Sequence, residues 1–346
     1  MNETKLEAFL AIPMPTIEYI ERDDKSRVVL YAALDDLCAC SGKLDFPFGN
    51  KSIYPKMKLL DKSSRRELRK RRVLHTKKLK SCELLVISAN VPLSHYGDIL
   101  DFQRNDVDAQ DCARALARSD FCKRISDLLV MANVGRIGSV ELVRGDVVQD
   151  DERQISGIPE MDGYALQRAA KIAEVTGWPQ LRMMNTNVVW GWAAKRVSMF
   201  DGFDGTAMGR AICALSRIFE HKTTDHPMQL LWALVGLEAL YVRGKSELLQ
   251  QVRDKSQTLL GQQAAFKKRI TSMYDFRSRF VHGDLDFPGL LLVGDSRDEV
   301  SRYDNDLYDA VSIATAVLVA TIQEIIHRGW SGVKFDYKVE DTTSAD

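Results

Sequence analysis

The chain has 346 residues, of which 45% are hydrophobic and 28% are charged, the composition of a folded soluble protein. Its 48 lysines and arginines balance 48 aspartates and glutamates, so no overall field favours a nucleic-acid partner and any basic footprint must be local. A chain of this length exceeds the usual size of one hydrophobic core, and two domains are therefore expected.

Residues 1–178 are predicted to form an α+β domain of unknown role, either a sensor or a recognition unit. β-rich runs predict strands at 28–34 and 82–91, and a pair of strands joined by a glycine-bounded turn at 126–143. Helices are predicted at 110–119 and 164–176, the second stopped by Gly177. The acidic stretch 146–163 contains glycine and proline and is expected to be a loop.

From residue 179 onward apolar residues recur with the period of a helix, which predicts an all-α bundle over 179–335 and a polar tail at 336–346. The predicted helices are 206–221, one that begins at Pro227, 247–260, 266–280 and 307–326. The expected fold is thus an N-terminal α+β domain followed by a helical bundle.

A basic run at 62–80 is the strongest local signal for nucleic acid, because it holds ten lysines and arginines and one acid. Arg69, Arg71 and Arg72 are its candidate RNA-binding side chains. The run has no aromatic residue on which a base could stack. A solvated helix surface or an exposed loop accounts for the same composition.

The six cysteines are scattered, without a C-x2-C pair or the cysteine and histidine spacing of a zinc site, so no metal and no cofactor are expected. With no signal-like start, they are interpreted as the reduced thiols of a cytoplasmic protein. The longest apolar run, 311–326, contains polar residues and falls short of the roughly 20 apolar residues that cross a bilayer. No membrane partner is expected.

Glu238 is the only formal charge in the apolar segment 229–242, where an unpaired buried carboxylate would be costly. Arg277 follows Ile270 and Met273 at helical spacing, which places it on the inward stripe of its own helix. We therefore expect Glu238 and Arg277 to form a buried pair. A purely structural salt bridge that fixes the helix register is the alternative.

His282 lies five residues after Arg277, a separation that turns it about 140° away in an ideal helix. Two arrangements would bring both side chains to one target. The helix unwinds at Gly283, or a second subunit supplies its own pair across a two-fold axis. A solvated histidine favoured by the helix dipole is the alternative interpretation.

These features occur in an order that resembles a known family. The apolar helix with its internal Glu238, an amphipathic helix, the segment RSRFVHG (277–283) and the long helix 307–326 are together similar to an Apea-like HEPN domain. The family's R-x4-6-H mark is here Arg277-x4-His282, and the resemblance covers about the last half of the chain. It implies a HEPN-type bundle, a homodimer through it, and catalytic clefts shared between paired domains, which favours the second-subunit arrangement.

The resemblance further implies a metal-independent endoribonuclease, in which a ribose 2′-hydroxyl attacks phosphorus and leaves a 2′,3′-cyclic phosphate. His282 would act as general acid and base and Arg277 as the phosphate clamp, with Glu238 completing the catalytic set. Two positions depart from the family's patterns. Ser278 stands where many active members carry Asn or Asp, and Asp284 stands where one subset carries a tyrosine that a partner enzyme modifies.

Four residues around the motif are candidate substrate contacts. Arg279 would lie at the cleft mouth, Ser278 would take the orienting position, Tyr274 would line the cleft and Asp284 would orient His282. A surface arginine, a packed tyrosine and a turn-forming aspartate are the alternatives for three of them.

By resemblance, the expected role is RNA cleavage in prokaryotic defence or toxin-type growth control, and the identity of any regulatory protein is left open. A catalytically silent HEPN module for dimerisation and for binding RNA or protein is the alternative function. A nuclease needs Arg277 and His282 on one open cleft. A scaffold can hold Arg277 on Glu238 and leave His282 isolated.

Overall fold

A computed structural model describes most of the chain, namely residues 3–14, 24–48, 51–61, 63–64, 81–96, 109–150, 152–220, 225–244, 246–263, 266–284 and 298–335. A β-rich N-terminal region precedes a helical C-terminal region, in the predicted order. Apart from residues 63 and 64, the basic run 62–80 lies outside the described residues, and with it Arg69, Arg71 and Arg72. The predicted polar tail, 336–346, lies outside them too.

The N-terminal region is built on an antiparallel sheet. The strands are β1 (Glu3–Pro13), β2 (Phe46–Phe48), β3 (Lys51–Ile53), β4 (Lys56–Leu59), β5 (Cys82–Pro92), β6 (Arg144–Gln149) and β7 (Glu152–Ile158). Five of them form one sheet in the order β4-β5-β1-β6-β7, and β2 and β3 form a separate hairpin. The central strand, β1, pairs along its whole length with β5, from Glu3 opposite Pro92 to Pro13 opposite Cys82.

Both faces of β1 are covered. Leu6, Leu10 and Ile12 point into the main core, on which the helices α1 (Asp24–Ala39) and α2 (Ala109–Arg136) also pack. Phe9 and its neighbours on the opposite face join a smaller apolar cluster with β5. This alternation follows from the two-residue side-chain period of a strand.

The C-terminal region is helical. It comprises α3 (Tyr164–Thr176), α4 (Thr186–Ala193), a 3₁₀ helix (Ala194–Asp201), α5 (Ala207–Glu220), α6 (His226–Tyr241), α7 (Leu248–Leu260), α8 (Phe266–His282) and α9 (Asp298–His327). The central helix is α9, which packs against α2, α3, α6, α7 and α8. The stretch Val300–His327 is apolar and long enough to cross a membrane. However, 94% of its most apolar window is buried, so its composition reflects a core helix and is consistent with a soluble protein.

Three of the predicted N-terminal elements are wrong. Residues 28–34 lie in α1, because the buried Leu30, Leu34 and Leu37 recur at helical rather than strand spacing. Most of 126–143 is the C-terminal half of α2, where consecutive apolar residues are buried on all sides and period alone does not separate a helix from a strand. The expected loop at 146–163 contains the paired strands β6 and β7, since the buried charge of Asp146 is neutralised by Arg144 at 2.8 Å.

The other predicted elements are confirmed to within a few residues, with two extensions. The strand at 82–91 is β5, and the helix at 164–176 ends at Gly177, whose φ of +68° closes it. The helix predicted at 110–119 extends through Arg136, and the last helix begins at Asp298 rather than Leu307.

The two regions share one hydrophobic core, which runs from Leu6 of β1 to Ile326 of α9. Gln323 of α9 ties them together with its side-chain amide. Its Nε2 donates to the carbonyl oxygens of Val134 (2.7 Å) and Arg182 (2.8 Å), and its Oε1 accepts from the Arg182 amide at 2.8 Å. The predicted boundary at residue 178 stays a prediction; the shared core and the hydrogen bond to Val134 cross it.

We predict that Gln323→Ala lowers the free energy of unfolding by about 2 kcal/mol or more, because it leaves one buried and two partly buried backbone groups without their side-chain partner. Urea unfolding followed by circular dichroism measures the loss. Gln262→Ala is the control, since Gln262 is exposed, and it should change stability by less than about 0.5 kcal/mol. Equal unfolding midpoints for the two variants would contradict the bridging role of Gln323.

Candidate functional site

Glu238 lies on α6. This helix is apolar on nearly all sides, but neighbouring helices cover only part of its surface. One face of α6, including Leu230, Leu234 and Leu237, is buried in the bundle. Gly236 allows close contact with α9, because a Cβ atom there would lie 2.8 Å from Leu318 Cδ2. The other face carries Glu238 and stays partly open to solvent.

Arg277 is carried by α8 at the edge of its buried stripe. Ile270, Met273 and Tyr274 are buried, and Phe276 packs on Tyr303 of α9 with ring centroids 5.6 Å apart. Arg277 follows these residues at helical spacing and is half-buried, as the sequence indicated for an inward-facing position.

The expected pairing of Arg277 with Glu238 is present but loose. Arg277 Nη2 lies 3.9 Å from Glu238 Oε1, and the two side chains are 32% and 22% exposed. The expected pair is therefore present but only partly buried, because the apolar composition of α6 does not mean that other helices cover every side of it. Val235, one turn before Glu238, is itself 38% exposed.

Tyr274 adds a third polar group to this contact. Its side chain is buried, and burial, followed by the negative charge of Glu238, raises the pKa of its phenol. The hydroxyl is thus close enough to sense the carboxylate, yet the two do not meet the geometry of a normal hydrogen bond. Tyr274 Oη, Glu238 Oε1 and Arg277 Nε are all buried atoms without a hydrogen-bond partner in the described structure.

Such unsatisfied polar atoms are uncommon in native proteins, because each one forfeits the hydrogen bonds that it made to water. Three of them lie on neighbouring side chains that already attract each other, Glu238 with Arg277 at 3.9 Å and Glu238 with Tyr274 through its charge, so each group keeps hydrogen-bonding capacity for a further partner. This clustering is the strongest structural reason to single out Glu238, Tyr274 and Arg277.

His282 lies apart from this cluster, exposed at the last residue of α8. The helix does not unwind before it. Gly283, with a φ of +77°, closes the helix by donating its N–H to Phe280 O at 3.3 Å, and the Asp284 N–H donates to Arg279 O at 2.8 Å. This is a Schellman end.

The regular end of α8 excludes the first of the two arrangements expected from the sequence. Because α8 stays helical through His282, the turn of about 140° between Arg277 and His282 persists. One chain therefore does not bring the two side chains to one face, and both the second-subunit arrangement and the solvated histidine stay predictions.

The other candidate contacts, Ser278, Arg279 and Asp284, are all exposed. Asp284 contributes its backbone amide to the helix end, the role expected of a turn former. Its carboxylate forms no ion pair within 4 Å with His282 or with any other described residue.

Sequence reasoning missed a buried arginine, Arg168, at the meeting point of α3, α6 and α9. It is 3% exposed, contacts His226 Nε2 at 2.9 Å and donates to Gln229 Oε1 at 2.8 Å. Its guanidinium lies between the rings of Tyr164 and Tyr308, 5.0 and 4.8 Å from their centroids, and burial lowers its pKa. In the sequence, the position of Arg168 on the apolar stripe of the helix 164–176 could have indicated that its side chain is buried. It fixes the first turn of α6.

Two cavities lie away from the motif. One of about 130 Å³ is bordered by Cys213 and by Asp127, whose pKa burial raises to about 6 despite its pairing with Arg124 at 2.8 Å. A larger cleft of about 570 Å³ lies between α1 and α4. Among the described residues no group of three histidine, cysteine or acidic side chains is placed to hold a metal ion.

Comparison of the chain with models of protein families, with curated proteins and with solved structures finds no match to any of them. The likeness to an Apea-like HEPN domain therefore rests on the residues quoted above. The structure supplies the coarser feature, a helical bundle in the C-terminal region.

We predict that Glu238→Ala lowers the free energy of unfolding by about 1 kcal/mol, since a partly exposed pair 3.9 Å apart contributes little. Glu238→Gln should stay within about 0.5 kcal/mol of the parent. Thermal unfolding measures both, with Glu220→Ala as the control from an exposed pair with Arg217. A loss above about 3 kcal/mol would mean that the pair is fully buried in solution.

Proposed function

We propose that the protein is a metal-independent endoribonuclease of HEPN type that acts as a homodimer in the cytoplasm, in prokaryotic defence or toxin-type growth control. The observation that supports this best is the cluster of Glu238, Tyr274 and Arg277, whose buried polar atoms lack partners. The exposed His282 follows on the same helix as Arg277.

The loose contact of Arg277 suits a phosphate clamp. Its guanidinium is about one-third exposed and is held by Glu238 only at 3.9 Å, so a phosphate can compete for it. The planar, permanently charged group can donate two parallel hydrogen bonds to non-bridging phosphate oxygens. In this scheme Glu238 is a positioning residue, which keeps Arg277 near the bundle surface between turnovers.

His282 supplies the proton transfers. Its imidazole takes the proton of a ribose 2′-hydroxyl while that oxygen attacks phosphorus. The bond from phosphorus to the 5′-oxygen breaks, the imidazolium just formed gives its proton to the leaving 5′-oxygen, and a 2′,3′-cyclic phosphate remains. Arg277 stabilises the negative charge that grows on the phosphorane oxygens.

The arrangement requires a second copy, because one chain holds Arg277 and His282 on different faces of α8. An apolar surface adjoins the site. Val235 of α6 is exposed. Leu231 and Trp232, about one helical turn earlier, are half-buried. Residues three and four apart share a helix face, so this surface continues into Glu238. A two-fold axis across it would bury apolar area and bring a second pair of motif helices to the site.

A catalytically silent dimerisation and binding module is the second candidate. It is favoured by the regular geometry of α8, which within one chain leaves Arg277 on Glu238 and His282 apart. The two candidates differ in whether RNA is cut.

We predict that His282→Ala lowers RNA cleavage about 100-fold or more while preserving the fold, since an exposed side chain contributes little packing but the reaction loses its acid and base. Cleavage of a mixed RNA in EDTA is measured, with 2′,3′-cyclic phosphate ends as the product signature. His327→Ala is the matched control, because His327 is likewise exposed at the last residue of a helix.

The two variants and the parent separate the candidates. Cleavage by the parent and by His327→Ala, but not by His282→Ala, supports the nuclease. No cleavage by the parent, together with RNA or protein binding, supports the silent module. Equal cleavage by all three would end the assignment of catalysis to this motif.

We predict that Val235→Arg converts the dimer to a monomer, because it places a charge in the centre of the apolar surface on α6. Light scattering should report twice the chain mass for the parent and the chain mass for the variant, and cleavage should fall with the dimer. Val175→Arg is the control, at a position 74% exposed on α3. A parent that is monomeric at micromolar concentration would contradict the shared site.

A further inference from the structure

The larger cleft lies at the seam between the two regions of the fold. One wall is the end of α1 and the segment that leads to β2, and it contributes Asp36, Lys43 and Asp45. The other wall is α4 with the start of the 3₁₀ helix that follows it, and it contributes Gly191 and Lys195. Its volume of about 570 Å³ falls in the range, roughly 300–1,000 Å³, of pockets that hold small ligands.

Hydrogen bonds within the protein hold the walls in place. Asp36 Oδ2 accepts from Arg136 Nε at 3.3 Å and from the Thr186 amide at 2.6 Å, which fixes the end of α1 to the start of α4. Deeper in the seam, Trp190 Nε1 donates to Asp45 O at 2.8 Å. The cleft is therefore shaped before any ligand enters, which reduces the entropy that binding must overcome.

The charges that line the cleft are not matched to each other. Asp45 Oδ1 is buried without a hydrogen bond to any described residue, and its carboxylate pairs with no described cation. Lys43 and Lys195 are exposed at the cleft and form no ion pair with a described acid. A carboxylate with one unsatisfied oxygen and two exposed ammonium groups that can bind an anion thus line one cleft.

We propose that this cleft binds a small molecule with an N–H donor at one end, for Asp45, and a phosphate or carboxylate at the other, for Lys43 and Lys195. Nucleoside monophosphates and free amino acids both carry this pair of groups. The volume favours the nucleotide, because an amino acid would leave most of about 570 Å³ unfilled. The proposal is independent of RNA cleavage, since no residue of the Arg277 site lines the cleft.

Binding here is noncovalent. Cys40 is the thiol in the cleft, and burial, followed by the charge of Asp36, raises its pKa. A thiol held in its protonated form is a weak nucleophile. A ligand that contacts both walls should instead stabilise the seam between α1 and α4.

The test is thermal unfolding and titration calorimetry of the full chain with each of the four nucleoside monophosphates, with a mixture of free amino acids, and with inorganic phosphate. A saturating ligand should raise Tm by on the order of a few degrees. A rise in Tm with a nucleotide identifies a nucleoside monophosphate as the ligand class, and a rise with the amino acids identifies a free amino acid. No response to either class, or an equal response to phosphate alone, overturns the proposal.

Gly191→Phe is the decisive variant. A Cβ atom at Gly191 meets nothing within 4 Å, so the ring can enter the cleft, and loss of a helical glycine does not weaken α4. It should abolish binding, whereas Val175→Phe, which adds the same ring at an exposed helix position, should not. Unchanged binding by a folded Gly191→Phe would overturn the proposal.

Two variants that remove single charges keep the proposal testable if Gly191→Phe does not fold. Asp45→Asn preserves size but removes the charge that strengthens the donor contact, and Lys195→Ala removes one ammonium group. Each should weaken affinity roughly tenfold. Binding that neither variant changes would mean that the ligand lies elsewhere, and the proposal would fail.

Discussion

The burial of α9 is the constraint on which the rest of the fold depends. From Ala310 to Ile326 every residue of this helix is buried, including five polar ones, so other elements must cover it on all sides. The helices α3, α6, α7 and α8 and the end of α2 provide that cover. The buried polar groups then need specific partners, and Gln323 finds three of them in the backbone of Val134 on α2 and of Arg182 between α3 and α4.

The position of the candidate site follows from the way in which the surrounding helices pack on α9. One face of α6 is taken up by α9 and α5, with Gly236 allowing the close approach to α9. The opposite face of α6 is also largely apolar, but it is covered less completely and stays partly exposed. Glu238 lies on this face. The stripe that holds α8 to α9 ends near Arg277, which brings the guanidinium to the same edge of the bundle.

The sequence predicted the helical region better than the sheet region, for physical reasons. Punctuating residues such as Gly177 and Pro227 act locally, and the helices next to them were found. In the sheet region α1 was taken for a strand, because β-branched and aromatic residues such as Val28, Val29 and Tyr31 favour strands locally, although here they lie on the exposed side of a helix. Strand β1 was missed because its residues, rich in Glu, Ala and Leu, favour helices, and only pairing with β5 and β6 on its two sides makes them a strand.

The same distinction applies to the site. That Arg277 faces inward and approaches Glu238 follows from spacing within one helix and was predictable. How far Glu238 is buried depends on which helices pack on α6, and periodicity does not carry that information. Arg168 was missed for a related reason, because a lone arginine on an apolar stripe reveals itself only when its partners come from two distant helices.

The Schellman end of α8 links local structure to assembly. Had the chain unwound before His282, one copy could have formed a complete site. Because Gly283 closes the helix only after His282, the histidine stays on a face that one chain does not share with Arg277. If both groups act on one phosphate, the chemistry depends on a second copy, and activity per chain follows the fraction of dimer. Under the proposed mechanism, this helix end would then make cleavage respond to the concentration of the protein itself.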